Sequence, residues 1–468
     1  MAARGGLRRG RAAAGWVVGV ATLTLCSGGS RSTAFVASPP WLGRPPARAA
    51  LGRHIFTARE APARPATTMG GGGPVQSALR LLLPYPRFLP GSELPGPYAR
   101  VGSLVRTRLD DTCCAATISF PAEAGAGGRA PYWSPEAVDG LLDYMRTRNT
   151  AVVSILHGIL GRQHPSPQGL RVLTPERRGG WPVIVFSHGL AGCADMYTDL
   201  CRCLASYGYI VIALEHEDGS GVHAASAADG SFIRYKRPDS TPYSRDKVTR
   251  FRAGFLERRV AEIDRVLRVL RDAQGAGEPG SDVASLLQSA DSSHVSLVGH
   301  SFGAAGAFVA AAELGETYPL KLAALLDAWA FSLPDSTLKS QTPGQVPLLS
   351  VLSEEWTRST ELFAVDTLLE AARGAARLKG SYFIARSAHQ SFSDTQLWLP
   401  RFLTGRLRMR GQHESRGSTH ALTAQTVDAH IRAAAEGGQA PAANLPAPSS
   451  ALLEYSPAAA AVPIGAAP

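Results

Sequence analysis

The chain has 468 residues, of which 45% are hydrophobic and 18% charged, a balance that suits a globular protein with a large core and excludes a wholly disordered one. Its formal net charge is +10, yet ten arginines and a single acid, Glu60, fall within residues 1–66. The rest of the chain is close to neutral and offers no basic face for phosphates, so no nucleic-acid partner is expected.

The first 74 residues read as a targeting presequence and spacer. Arg8-Arg9-Gly10-Arg11 precedes an uncharged apolar run, Ala12 to Cys26, and then the small-residue stretch SGGSRSTA. A basic start, a short apolar run and small residues make a signal peptide, and the run is too short for a comfortable membrane span. The segment after it, from Phe35, is rich in Arg, Ala and Pro and nearly free of acids, as transit peptides are. Such a signal-then-transit order is similar to the two-part plastid presequences of algae with complex plastids. Entry into the secretory route is expected, with secretion or a plastid as destination. Residues 436–468 are low-complexity and rich in Ala and Pro, and read as a disordered tail. That leaves residues 75–435 as one domain.

Within it, short apolar runs recur in chain order: CCAATISF (113–120), PVIVFS (182–187), YIVIAL (209–214), HVSLVG (294–299), KLAALLD (321–327), VPLLSVL (346–352) and SYFIAR (381–386). From the second onward the apolar stretches are continuous rather than alternating, which predicts parallel strands covered on both faces; the first predicts an antiparallel start. Helical patterns lie between them. The clearest spans 251–273, where Leu256, Val260, Ile263, Leu267 and Leu270 form one apolar stripe. Alternating strands and helices predict an α/β fold with a mostly parallel central sheet flanked by helices, whose ligands bind beyond the carboxyl ends of the strands.

Those strand ends carry the chemistry. After HVSLVG comes Ser301, in G-H-S-F-G between Gly299 and Gly303. This is the strand–turn–helix setting of a nucleophile elbow, where small flanking residues permit a sharp turn. Asp327 follows KLAALL, His389 follows SYFIAR, and His188-Gly189-Leu190 follows PVIVFS. A serine hydroxyl needs a base to become a nucleophile, and the base needs an acceptor on its second nitrogen. His389 supplies the first; Asp327, or else Glu354 or Glu355 after VPLLSVL, supplies the second. The order Ser, Asp, His is that of α/β-hydrolases. The oxyanion of an acyl-transfer intermediate needs fixed N–H donors. Phe302, next after the nucleophile, offers one and the His188-Gly189-Leu190 loop the other. His188 and His300 read as scaffold.

Taken together, FSHGLAG, LASYGYIVIALEHEDGSG, VGHSFGAA, LLDAWAFSL and SAHQSFSD resemble the platelet-activating-factor acetylhydrolases of the plasma and intracellular type-II group. The resemblance runs from about Pro95 to about Ala435. It implies an α/β-hydrolase fold, calcium-independent hydrolysis of short or oxidised acyl chains at the middle position of glycerophospholipids, and no cofactor. It also implies Asp327 as the acid and Leu190 and Phe302 as the oxyanion donors. Three positions depart from the family's pattern: Ala304 for a second glycine, Glu217 for the usual arginine of EHRDGS, and Thr395 for an aromatic residue. The charge reversal at Glu217 bears on head-group preference. The rival expectations are a general carboxylesterase acting on soluble esters and a binding protein of the same fold without activity.

No metal pattern occurs among the six cysteines. Cys26 falls in the leader; Cys113, Cys114, Cys193, Cys201 and Cys203 remain, either as buried thiols or with one disulfide. The apolar segment 151–161, with Leu156 and Ile159, is a candidate for contact with a lipid surface, a packed helix being the alternative.

Overall fold

Runs of Val, Ile, Leu and Ala form the central strands of a nine-stranded sheet, because those strands are covered by helices on both faces. The computed structural model describes residues 93–238, 244–273, 282–339, 346–398, 418–438, 445 and 451–457. The presequence read over residues 1–74 and the first residues of the body lie outside them. In chain order the strands are β1 (Val101–Thr107), β2 (Ala116–Pro121), β3 (Trp181–Ser187), β4 (Ile210–Leu214), β5 (Ala224–Ala225), β6 (Phe232–Ile233), β7 (Ala290–His300), β8 (Leu320–Leu326), β9 (Leu348–Ser353), β10 (Leu378–Ile384) and β11 (Leu452–Glu454). Strands β5 and β6 make a separate ribbon, and the large sheet runs β1-β2-β4-β3-β7-β8-β9-β10-β11. Pairs from β4 to β10 are parallel, while β1, β2 and β11 join antiparallel.

The helices are α1 (Pro135–Tyr144), α2 (Thr150–Leu160), α3 (Thr198–Ala205), α4 (Arg245–Asp272), α5 (Asp282–Gln288), α6 (Phe302–Leu314), α7 (Asp335–Leu338), α8 (Leu362–Gly374), α9 (Thr395–Trp398) and α10 (Ser418–Ala435). Along β3, Val183 and Val185 join the core under α4, α5, α6 and α8, whereas Ile184 and Phe186 join the core under α1, α2, α3 and α10. The alternation of direction with both faces covered is why the run has no polar side. On α4 the entire predicted stripe, Leu256 to Leu270, is buried, and Ser244 caps the helix by accepting the Lys247 N–H. The helix begins at Arg245, earlier than the apolar stripe shows.

One expectation is corrected, and between two readings of the segment 151–161 the packed helix is the one found. The tail read as disordered contributes β11, which pairs with Tyr382–Ile384 of β10, and its Tyr455 hydroxyl donates to Asp366 at 2.7 Å. Composition had masked a three-residue edge strand, too short for a periodicity signal. In α2, Leu156 and Ile159 face the core rather than solvent; Val152, Val153 and Ile155 are its half-buried apolar residues. Asn149 caps that helix at 3.0 Å from the Ala151 N–H. Among the described residues no helix is long and apolar enough to cross a membrane.

Candidate active site

The turn after β7 places Ser301 at φ 57°, ψ −119°, a conformation that costs a non-glycine residue about 1–3 kcal/mol. Its neighbours explain how the chain closes so sharply. A Cβ on Gly299 would lie 2.2 Å from the Gly303 carbonyl oxygen, and one on Gly303 would lie 2.0 Å from that of Ser187. Only glycine fits at either place. Ala304, where the family pattern has another glycine, is fully buried on α6 without disturbing the turn.

Three side chains from separate strand ends meet there. His389 Nε2 lies 3.2 Å from Ser301 Oγ, and His389 Nδ1 lies 3.0 Å from Asp327 Oδ2. A carboxylate only accepts, so Nδ1 carries the proton and Nε2 is free to receive one from the serine. Asp327 is fully buried; its Oδ1 accepts the Ser353 N–H and its Oδ2 the Ser353 hydroxyl, both at 2.6 Å. Asp327 also has positive φ, 43°, as does Ala191 in the loop after β3, 53°. Backbone strain thus gathers at this rim. The imidazole of His389 is clamped between Trp356, stacked at 4.4 Å, and His300 at 4.5 Å.

The rival acids hold backbone instead of imidazole. Glu355 accepts the His389 N–H at 2.9 Å, and Glu354 pairs with Arg358 and accepts the Arg386 N–H. His300, Asp327 and His389 bring potential ligand atoms within 4.8 Å, a spacing a cation could use. The His300 Nδ1 is engaged by Tyr197 while its buried Nε2 has no partner among the described residues; both Asp327 oxygens and both His389 nitrogens are already hydrogen-bonded, to Ser353, to Ser301 and to each other, which is the pairing of a proton-handling array.

The loop after β3 is built from the same rim. The Gly189 N–H is taken by the Tyr197 hydroxyl at 3.1 Å, which in turn donates to His300 Nδ1 at 2.8 Å. The Ala191 N–H is taken by the Ser220 carbonyl at 2.8 Å. Between them stands Leu190, whose N–H has no hydrogen-bond partner among the described residues. Phe302 is the first residue of α6, so its N–H has no partner within the helix. His188 is fully buried, and its Nδ1 donates to the Gly189 carbonyl at 2.8 Å. Burial and the nearby Arg259 hold its pKa well below the usual histidine range. It therefore stays neutral and shapes the loop. His300 is likewise held neutral by burial and by His389.

Several residues that serve the site were not singled out from the sequence. Arg259, Asp218, Ser220, Ser187 and His216 form a densely hydrogen-bonded polar cluster behind the loop. Their signal was present as charged positions, Arg259 and Glu262, beside the apolar stripe of α4. Glu217 is also explained, and differently from expectation. It is buried between Arg108 at 3.2 Å and Arg258 at 3.0 Å and accepts the Ala227 N–H, so it is held by the protein and not presented to a head group. Asp394, the end of HQSFSD, accepts from the Tyr132 hydroxyl and the Asp199 N–H, pinning the His389 loop to α3. Thr395 is buried and bonds Ser393 at 3.0 Å. The five described cysteines are buried free thiols.

A sheet of this order, an antiparallel second strand, and a serine, aspartate and histidine meeting beyond the parallel strands define an α/β-hydrolase. A ferulic acid esterase from Streptomyces cinnamoneus shares the fold, with TM-score 0.53 and 18% identity over 78% of this chain and 100% of that one. The family described as platelet-activating factor acetylhydrolase, isoform II, matches residues 110–432, and the chain belongs to it. A platelet-activating factor acetylhydrolase of Gallus gallus is 26% identical over 291 residues, covering 56% of this chain and 64% of the relative. A putative phospholipase A2 of Schizosaccharomyces pombe is 30% identical over 220 residues, covering 40% and 49%. The chain thus spans between about half and two thirds of the length of these relatives.

Proposed function

We propose that the protein is a serine esterase that hydrolyses a short acyl ester, acetyl or an oxidised fragment, from the middle position of a glycerophospholipid. The observation that carries this reading is the hydrogen-bonded line from Ser301 Oγ through the His389 imidazole to Asp327. Ser301 attacks the ester carbonyl as His389 Nε2 takes its proton, and Asp327 stabilises the imidazolium. The N–H groups of Leu190 and Phe302 receive the oxyanion. His389 then gives its proton to the leaving lysophospholipid oxygen, and a water deprotonated by the same imidazole releases the acid from Ser301. Every step is served by groups of this chain, so hydrolysis proceeds unchanged in the presence of a calcium chelator.

Family membership and the names of the relatives supply the choice of a phospholipid ester over a soluble one. Access to lipid is assigned to the rim and to the half-exposed Val152, Val153 and Ile155 of α2. Mass spectrometry of the products from a panel of phospholipids with acetyl, oxidised and long acyl chains tests the reading. Release of short acids by the wild type, absent in Ser301→Ala, is the expected result. Preference for p-nitrophenyl acetate with no lipid cleaved favours a general carboxylesterase. No labelling by a fluorophosphonate leaves a non-catalytic protein.

A further inference from the structure

The two halves of the oxyanion site come from different places: Leu190 from the loop after β3, and Phe302 from the first turn of α6. Nothing in either segment by itself fixes the distance between them. One side chain touches the support of both. Arg259 of α4 is fully buried, and each of its nitrogens is used. Its Nε donates to Asp218 at 2.8 Å; one terminal nitrogen donates to the Ser187 hydroxyl at 3.0 Å and the His188 carbonyl at 2.6 Å; the other donates to the Ser220 hydroxyl at 2.6 Å. His188 immediately precedes Gly189 and Leu190, and Ser220 is the residue whose carbonyl holds the Ala191 N–H. The loop is therefore gripped on both sides of Leu190. The same guanidinium lies over the Phe302 ring at 4.7 Å.

We infer that Arg259 is the positioning residue of the oxyanion site, holding the Leu190 and Phe302 N–H groups in register. The inference rests on the esterase reading of the site and extends it. The planar fork matters as much as the charge, because its donors leave in fixed directions toward two separate segments, Ser187–His188 and Asp218–Ser220. Asp218 supports it in turn: it accepts the Ser220 N–H and hydroxyl at 2.8 and 2.6 Å, so the segment Asp218–Ser220 is a preformed seat for the arginine. The positive charge is offset by Asp218, whose carboxyl the nearby guanidinium holds well below the usual carboxylate range despite burial. Arg259 reaches neither Ser301 nor His389 through any of its hydrogen bonds, so it acts through the loop and the helix.

Loss of the grip is expected to act on the transition state and not on substrate affinity. In Arg259→Met, kcat falls by about 100-fold, the scale of one lost oxyanion donor, while KM moves by less than about threefold. The rate of phosphonylation of Ser301 by a fluorophosphonate falls in parallel, since that reaction uses the same donors without a lipid. Arg259→Lys, which keeps the charge but not the fork, stays at least about tenfold below wild type in both rates. A folded Arg259→Met with kcat and labelling within about threefold of wild type overturns the inference. If that variant does not fold, Ser220→Ala removes the hydroxyl that accepts from Arg259 and donates to Asp218; a several-fold loss of both rates supports the inference and unchanged rates overturn it. A wild-type protein that fails to label at all overturns the esterase reading and this inference with it, whereas a labelled wild type with indifferent variants sinks the inference alone.

Discussion

Two polar networks share one rim of the sheet, and they are built on opposite terms. In the line Ser301–His389–Asp327, the serine hydroxyl makes one hydrogen bond among the described residues, to the imidazole, and the Leu190 and Phe302 N–H groups beside it have no partner among them. In the cluster around Arg259, every nitrogen of the guanidinium donates a hydrogen bond, His216 bridges the Ser187 hydroxyl and Glu262 at 2.8 and 2.7 Å, and Glu217 sits between two arginines. The first network leaves hydrogen-bonding capacity open and carries backbone strain at Ser301 and Asp327; the second is densely paired and packs behind the loop after β3. Reaction needs groups left partly unpaired in a dry site, and only a saturated surround keeps them there.

That contrast breaks most sharply where the reacting line is cut. Ser301→Ala is expected to lower kcat by about a millionfold with the melting temperature unchanged or raised, since alanine removes no packing. Asp327→Asn is expected to lower kcat by about 10⁴-fold, because the amide favours the wrong imidazole tautomer, again with the fold intact by circular dichroism. Activity retained in either variant would remove these residues from the chemistry. At Glu217, on the far edge of the supporting cluster from the loop after β3, the effect moves from rate to stability. Glu217→Gln leaves Arg108 and Arg258 facing an uncharged partner and is expected to cost about 2–4 kcal/mol in urea unfolding, with head-group preference unaltered. A changed head-group preference without loss of stability would place Glu217 in the binding site after all.

A second pair sharpens the distinction on α2. Leu156→Asp puts a carboxylate into the core and is expected to cost at least about 3 kcal/mol. Val153→Asp, at a half-buried position, is expected to leave the melting temperature within a few degrees and to weaken vesicle flotation. Undiminished flotation would take the lipid contact away from this helix. The smallest effect concerns the thiols. Burial and the neighbouring Asp110 push Cys113 up to about 12, and Cys114, Cys193 and Cys201 are raised well above the usual thiol value by burial. All remain protonated at pH 8, where the thiolate is the reactive form, so a disulfide reagent titrates them only after denaturation and leaves native activity unchanged.

Much of this was legible in the residues. The continuous apolar runs marked β3, β4, β7, β8, β9 and β10, the order Ser301, Asp327, His389 marked groups that meet beyond the strand ends, and Gly299 and Gly303 marked a turn that tolerates no Cβ. Local pattern carries that information because strand burial and a tight turn impose their demands on neighbouring residues. The sequence left open which acid would reach the imidazole by position alone, and Glu354 and Glu355 stood equally well after a strand. Only the packed sheet settled the distances, setting Asp327 against His389 and turning Glu355 to the His389 backbone. It likewise put Leu156 and Ile159 inside, drew Glu217 between two arginines, and recruited β11 from an Ala/Pro-rich tail. Those outcomes depend on contacts between segments tens to hundreds of positions apart. No local spacing records such contacts, because what fixes them is the closing of the sheet and the need to pair every polar group it buries.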